Sequence, residues 1–348
     1  MRRITKASTA FIGIFIIIIS FILPLRSREI KDMKGNRVTV SDNIRKVFSG
    51  SPPLTFMIYA VNPALLAGLN FPIADRDKPY LQKIMHTLPV LGGFFGQGNV
   101  ANSEVILKVK PDLLLIWTQR NSILRNRNEE KLMGSLPIPH VYVFFENIND
   151  YEEAFLFMGK LFNMEERASI LADYAKKTLA EIDKTVSSIP ADQRPTVYYA
   201  EGKDGLNTDC DKSWHAELIN IAGAKNVRRC NVIDSFGMER ISMEQVMMYN
   251  PEVIIVQEES FHDRIYASPL WKDIKAVKTK RVYLVPRVPF NWFDRPPSFM
   301  RLIGIKWLMN NLYHSRYRVD IVKEAKYFYR LFLGIDKTTE EIRRVIYP

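Results

Sequence analysis

The pattern of apolar and polar positions repeats once along the chain. In Ser103-Glu104-Val-Ile-Leu-Lys-Val-Lys-Pro111-Asp112-Leu-Leu-Leu-Ile116 a glutamate opens a short amphipathic stretch, a proline stands seven residues later, and an acidic residue leads into an apolar run. Ser242-Met-Glu244-Gln-Val-Met-Met-Tyr-Asn-Pro251-Glu252-Val-Ile-Ile-Val256 has the same order about 140 residues further on. Proline cannot continue a helix, and the run after it is rich in branched side chains, so each copy predicts helix, turn and buried parallel strand. The doubled unit predicts an α/β protein with two similar lobes.

Between the copies, Asn163-Met164-Glu165-Glu166 reads as a helix start, with Asn as cap and Glu at the third helical position. Apolar residues recur at Ala168, Leu171, Tyr174 or Ala175, Leu179, Ile182 and Val186, until Ser187-Ser188-Ile189-Pro190 ends the pattern. About 24 residues at ~1.5 Å each make a rod of roughly 36 Å. The expectation is a stiff spine joining the lobes, the alternative an ordinary surface helix of one lobe. Elsewhere, Asp32 to Val40 reads as a hairpin, Val47-Phe48 as a strand, and Ser51-Pro52-Pro53 as a turn before a helix through Leu65-Leu66. Thr196 to Ala200 and Val282 to Val285 read as strands and Ser213 to Ile221 as a helix. Pro296-Pro297 are expected to open a helix through Trp307 and Leu312; Asp320 caps another that Gly334 stops, and Thr338-x-x-Glu341 caps the last.

The N-terminus is different. Arg2, Arg3 and Lys6 precede an almost unbroken apolar run, Phe11 to Leu23, stopped by Pro24 and Arg26. As a helix it reaches about 20 Å, short of the ~30 Å hydrocarbon core, so it reads as a secretion signal, with a buried core helix as the alternative. No small-x-small cleavage site and no lipid-accepting cysteine follows, which leaves removal or retention as an anchor open. The whole chain of 348 residues suits about two domains, and its 47% hydrophobic and 25% charged residues exclude a disordered chain or a multi-span membrane protein. The net charge of +11 can steer an anionic ligand or sit near anionic lipid, but it lacks the basic stripe with interleaved aromatics that nucleic-acid binding uses. In an oxidising compartment Cys210 and Cys230 either bridge, closing a loop of about 20 residues for roughly 3 kcal/mol, or remain two thiols.

Enzymatic apparatus is not visible. The loop Gly92-Gly93-Phe-Phe-Gly96-Gln-Gly98-Asn-Val-Ala101 contains G-x-G-x-x-A, but no strand leads into it and no acid lies between Ile116 and Arg127. It reads as a glycine-rich loop facing a cleft, not as a dinucleotide site. His215-Ala-Glu217 has the H-x-E spacing of zinc deaminases without a C-x-x-C to complete it. None of the five histidines is four residues from another, and neither a nucleophile elbow nor a P-loop occurs.

What does recur is a set of aromatic, cationic and polar residues just after predicted strands, where open α/β sheets bind ligands. Trp117 and Arg120 follow the first repeated strand. Tyr199, Glu201, Asp204 and Thr208 follow the Thr196 strand, with His215 early in the next helix. Gln257, Glu258 and Glu259 follow the second repeated strand, and Asn291-Trp292-Phe293-Asp294-Arg295 follows the Val282 strand.

With these residues in place the chain resembles the periplasmic binding proteins of ABC importers for chelated iron, siderophores, haem and cobalamin, whose two lobes are joined by one backbone helix. The matching strings are Asp32-Met-x-Gly35-x-x-Val38-Thr-Val40, Asn102-Ser-Glu104-x-Ile106-x-x-x-x-Pro111-Asp112-Leu, Asp204-Gly-Leu206-x-Thr208, His215-Ala-Glu217-Leu-Ile219, Gly223-x-x-Asn226-Val227, Ser242-x-Glu244-Gln245, Pro251-x-Val253-Ile-Ile, Trp292-Phe-Asp-Arg295-Pro-Pro and Leu302-Ile-Gly-Ile-Lys306-Trp307-Leu. They run from about residue 29 to the end.

The resemblance implies two Rossmann-like α/β lobes connected by one long α-helix, with the ligand cleft between them. Residues 1–27 would be a signal peptide or anchor, 28–162 the first lobe, 163–189 the linker helix and 190–348 the second lobe with a helical tail. It implies a monomeric periplasmic receptor, not an enzyme, that takes up a chelated metal and delivers it to an inner-membrane permease and its ATPase, with no nucleic-acid partner. A ferric siderophore or related iron complex leads; a nickel or cobalt chelate, cobalamin and haem are alternatives, the metal in each case being cargo and not a cofactor. In similar proteins one rim glutamate per lobe pairs with permease arginines, and these map onto Glu104 and Glu244. Trp117, Tyr199 and Trp292 would supply contact area beside Thr208, while Arg120 and Arg295 would neutralise chelate oxygens. His215, with Tyr199 as the weaker candidate, would complete the metal's coordination sphere. Two other classes stand beside this one, a chelatase-like enzyme and a signal-anchored sensor or adhesion protein.

Overall fold

The computed structural model describes residues 26–94, 100–118, 134–231 and 237–348. The apolar run Phe11 to Leu23, Arg120 and the centre of the glycine-rich loop lie outside them. Among the described residues no helix is long and apolar enough to cross a membrane.

Strands β1 (Ser27–Lys31) and β2 (Arg37–Ser41) form the expected hairpin, its turn held by the Asp32 carboxylate, which accepts from the backbone of Lys34 and Asn36 at 3.0 and 2.8 Å. The first lobe's sheet is parallel, in the order β3 (Val47–Ser49), β4 (Leu113–Thr118), β5 (His140–Phe144). Leu66 adds a parallel bridge to Val47 of β3. In the second lobe, β6 (Thr196–Ala200) is followed by β7 (Asn207–Thr208), β8 (Lys225–Asn226), β9 (Glu239–Arg240), β10 (Val253–Val256) and β11 (Val282–Leu284). Its parallel sheet runs β11-β10-β6-β8, and β7 pairs with β9 antiparallel. With Leu66 in the place of a second strand, both lobes have their first strand flanked by the second on one side and the third on the other. That reversal of strand order opens a crevice at the carboxyl ends of the first and third strands.

The repeat seen in the sequence has a physical basis in both lobes. Helix Ser103–Val109 is capped by the Asn102 side chain, which accepts from the backbone of Glu104 and Val105; helix Met243–Tyr249 is capped by Ser242, which accepts from that of Gln245. The equivalent caps are therefore Asn102 and Ser242, and Ser103 is the first helical residue. Each helix ends in a left-handed residue, Lys110 (φ 48°) or Asn250 (φ 40°), directly before its proline. The acid after the proline then fixes the neighbouring strand. Asp112 accepts from the backbone of Arg45 and Lys46 at 2.7 and 2.8 Å, just ahead of β3, and Glu252 accepts from that of Thr196 at 3.0 Å, the first residue of β6.

The spine is a helix over Glu165–Ser187, buried along Ala168, Leu171, Ala172, Tyr174, Ala175, Thr178 and Ile182. Asn163 does not cap it. Asn163 is the left-handed end (φ 54°) of the preceding helix Tyr151–Phe162, a conformation that asparagine tolerates better than most residues. The two Pro-Pro pairs also differ from expectation. Pro52-Pro53 are the first turn of helix Pro52–Val61, not a turn before it, whereas Pro296-Pro297 lie in a loop and the next helix is Arg301–Leu312. The caps at Asp320 and Thr338 and the stop at Gly334 (φ 66°) form as expected.

The C-terminal tail reaches back to the first lobe. Tyr59 donates to the Leu333 carbonyl at 2.7 Å, Phe56 stacks on Phe290 at 3.8 Å, and Phe155 packs against Phe332. One apolar core thus includes residues of both sheets, the spine and the tail.

Helix Arg301–Leu312 lies so close to the 291–295 loop that a Cβ on Gly304 would stand 1.8 Å from the Trp292 carbonyl oxygen. Backbone cannot yield as a side-chain tip can, so Gly304→Ala is expected to destabilise by about 1–3 kcal/mol, the range for overpacked cores, read as a lower urea midpoint at unchanged m.

A candidate ligand cleft built on a buried charge cluster

At the carboxyl end of β6 the chain passes from Ala200 to Glu201, turns through Gly202 (φ 75°) and Gly205 (φ 73°), and returns along β7 to Thr208 and Asp209. Cys210 follows and is disulfide-bonded to Cys230 across a Cα–Cα distance of 5.7 Å. The same segment is tied down by Asn226, which donates to the Asp209 carbonyl at 2.9 Å, and by Asp211, which pairs with Arg229 and accepts from the Cys230 backbone. Ser213 then caps the turn Trp214–Ala216 that carries His215. From the other side, the loop after β11 brings in Asp294 and Arg295, its shape set by the Asn291 side chain accepting from the backbone of Phe293 and Asp294. Arg295 itself has left-handed backbone (φ 44°), a strained state for a long side chain.

These loops converge on one ionic cluster. The Arg295 guanidinium donates to Glu201 at 2.6 Å and to Asp209 at 2.7 Å, with Asp294 3.6 Å away. All three carboxylates are buried. Asp209 also accepts from the Ser213 hydroxyl at 3.0 Å, and Asp294 holds the Nδ1 of His215 at 2.5 Å. A Cβ on Gly237 would stand 1.9 Å from Asp209, so only glycine's bare backbone can cover the cluster there. Burial and the adjoining Asp209 carboxylate push the Glu201 carboxyl up to about 9, against the opposing pull of Arg295. Burial would also raise Asp209, but Glu201, Arg295 and His215 outweigh it and hold Asp209 below the usual range. The pair therefore keeps one proton on Glu201, given to Asp209. Arg295 stays charged because its three carboxylate neighbours outweigh the desolvation that opposes charge.

Of the residues singled out in the sequence, the structure brings Tyr199, Thr208, His215 and Arg295 to this end of the second sheet. Tyr199 is a core residue of β6, its ring against Phe293 at 4.7 Å and its hydroxyl held neutral by burial. Thr208 is buried in β7. Arg295, expected to face ligand oxygens, turns its guanidinium inward onto carboxylates instead. Trp292 is not brought to the cleft: it is fully buried against Tyr329 and Gly304. Arg120 lies outside the described residues. Glu104 and Glu244 are exposed, each the second residue of its repeated helix.

Trp117 is half-buried at the end of β4, donates from Nε1 to the Phe145 carbonyl at 2.6 Å, and meets Trp214 of the other lobe with ring centroids 5.5 Å apart. Trp214 in turn lies on the His215 ring at 4.3 Å. Below this pair the lobes are joined again where Glu217 accepts from the backbone of Ile148 at 3.0 Å while paired with Arg301. Sequence reasoning missed Asp209 and Trp214. The signal for both was proximity to strings already noted, Asp204-Gly-Leu206-x-Thr208 and His215-Ala-Glu217. Asp294 holds His215 through Nδ1, so Nε2 is the ring nitrogen left for a ligand, and it makes no hydrogen bond among the described residues. Two indoles in tilted contact beside an oriented imidazole can grip an apolar face and offer one ligand atom to a metal.

Comparison with known proteins agrees with this architecture. Residues 82–289 match the family model described as periplasmic binding protein. An ABC transporter solute binding protein from Sulfurospirillum deleyianum superposes with a TM-score of 0.86 at 38% identity, covering 92% of this chain and 99% of that one. The molybdate-binding protein MolA of Haemophilus influenzae is 23% identical over 88% of this chain and 91% of its own length, and the molybdate-bound MolA structure superposes with a TM-score of 0.71. The Fe(3+)-citrate-binding protein YfmC of Bacillus subtilis is 23% identical over 72% of this chain and 79% of its own. Two parallel-sheet lobes and a connecting helix, together with a family match over more than half of the chain, lead to one conclusion: the chain belongs to the periplasmic binding protein family and is a solute-binding protein of an ABC importer, not an enzyme.

Proposed function

We propose that the chain captures a chelated metal outside the cytoplasm, with a ferric siderophore or related iron complex foremost, and hands it to its importer by docking through Glu104 and Glu244. The apolar run Phe11 to Leu23 would direct export, and the chain would act as a monomer. The observation that carries the cargo class is the Asp294–His215 pair: a buried carboxylate fixing an imidazole so that its Nε2 is free to enter a coordination position the chelator leaves open. The Arg295 charge is already matched inside the cluster, so the described wall offers an imidazole and two indoles where a bare oxyanion receptor would offer uncommitted cations. The Fe(3+)-citrate-binding name of the Bacillus relative points the same way. Nickel or cobalt chelates, cobalamin and haem share these chemical demands. A second reading, a bare oxyanion, is favoured by the Haemophilus relative's name, molybdate-binding.

Calorimetric titration with ferric citrate, nickel–histidine, haemin, cobalamin and sodium molybdate separates these readings. One of the metal complexes is expected to bind, His215→Ala to abolish most of that affinity, and Asp294→Asn to lower it about 10- to 100-fold, as for other groups that orient a metal-binding histidine. Molybdate binding that is indifferent to His215→Ala would establish the second reading.

The cluster's proton gives a pH prediction. Glu201 is raised from 4.5 to about 9, so its contribution to stability is complete below pH 4.5 and is lost as pH climbs towards 9. Glu201→Gln keeps a neutral donor to Asp209 at every pH. Thermal unfolding of the two proteins from about pH 5 to about pH 9 should show the wild type losing more stability than the variant, and parallel curves would mean that Glu201 is ionised.

A further inference from the structure

The repeated helices carry more than a glutamate each. On a helix, residues i, i+3 and i+4 share a face. On the first helix that face is Glu104, Leu107 and Lys108; on the second it is Glu244, Met247 and Met248. All six are exposed, and from residue 102 to 110 and from 242 to 250 the two segments match in burial at every position. Each helix is anchored by one fully buried residue, Ile106 or Val246, opposite this face. Leu107 is 41% exposed, Met247 53% and Met248 78%, so large apolar side chains stand in water beside the same acid in both lobes. A single exposed apolar residue needs no explanation, but a large apolar residue at the equivalent position beside the same acid in both halves does.

We propose that Leu107 and Met247, with Met248 extending the second copy, are the apolar half of a docking surface whose acidic half is Glu104 and Glu244. The partner is the importer's membrane-embedded pair of subunits, and each subunit presents a cationic side chain beside an apolar socket. This rests on the docking reading given above and adds its second component. The repetition carries the argument: a receptor whose two halves offer the same acid and an apolar neighbour at the equivalent position fits a partner that offers one complementary site twice. The acids attract and orient, while the apolar side chains leave water only on contact and so slow dissociation. Methionine's flexible thioether can fill an imperfect socket, and the second lobe with two of them makes the larger apolar contribution. In the first lobe Lys108 stands where Met248 stands in the second, so the two halves of the surface are similar but not identical.

The test is binding of the full protein to its ABC importer reconstituted in nanodiscs, followed by interferometry at low and high salt. Met247→Ser/Met248→Ser is expected to weaken binding about tenfold, mainly through the off-rate and at both salt concentrations, and Leu107→Ser about threefold. Glu104→Gln/Glu244→Gln should weaken it chiefly at low salt, because exposed charges are screened at high salt. All these positions are exposed, and thermal unfolding that matches the wild type checks that each variant is folded. Serine variants that bind within about twofold of wild type, while the glutamine variant binds weakly, overturn this inference and leave the glutamate docking reading standing. Unchanged binding by every variant overturns both.

Discussion

A guanidinium taken out of water must be matched by charge, and Arg295 imposes that requirement on a whole end of the second lobe. Leaving such an ion unpaired costs several kcal/mol, so carboxylates have to be brought to it from wherever the chain can supply them. Glu201 comes from the end of β6, Asp209 from the far end of the β7 turn, and Asp294 from the loop that carries Arg295 itself. Three acids around one arginine are then in excess, and the excess is resolved locally. Glu201 keeps its proton, and Asp294 engages His215. The result is a set of loops whose mutual positions are fixed by electrostatics before any cargo arrives, and preorganisation of that kind lowers the ordering cost of binding. The disulfide at Cys210 and the Asn226 bond to the Asp209 carbonyl hold the same segment by independent means.

What could be read from the sequence follows from how local each determinant is. The doubled helix-proline-acid-strand unit was legible because all its parts lie within about 15 residues and obey period and capping rules. The reason for its acid was not legible, since Asp112 and Glu252 act on strand entrances 66 and 56 residues away. The Pro-Pro pairs show the limit sharply. Both dipeptides suit either a turn or a first helical turn, and packing decided each case against the local reading. The cluster joins residues 94, 86 and 79 positions apart, so its members could be noticed singly as strand-end residues but not assembled. Trp292 was misplaced for the converse reason: it shares a string with Asp294 and Arg295, but its side chain points into the core that helix Arg301–Leu312 closes.

The lobes are less separate than a two-domain reading of the chain suggests. The tail packs on helices of the first lobe, and Glu217 bonds directly to the first lobe's backbone below the cleft. The spine contains neither glycine nor proline between Glu165 and Ser187 and so has no weak point at which to bend. A core shared by both lobes and a spine without such a point favour small relative motion over a wide hinge opening.

The contact between Trp117 and Trp214 has one more consequence. Indole emission responds to the polarity and proximity of what surrounds the ring, and here each indole is part of the other's surroundings although they belong to opposite halves of the molecule. The protein therefore carries a native optical gauge of its own gap: anything that wedges the halves apart, or draws them together, changes the colour and yield of its ultraviolet fluorescence without an added dye.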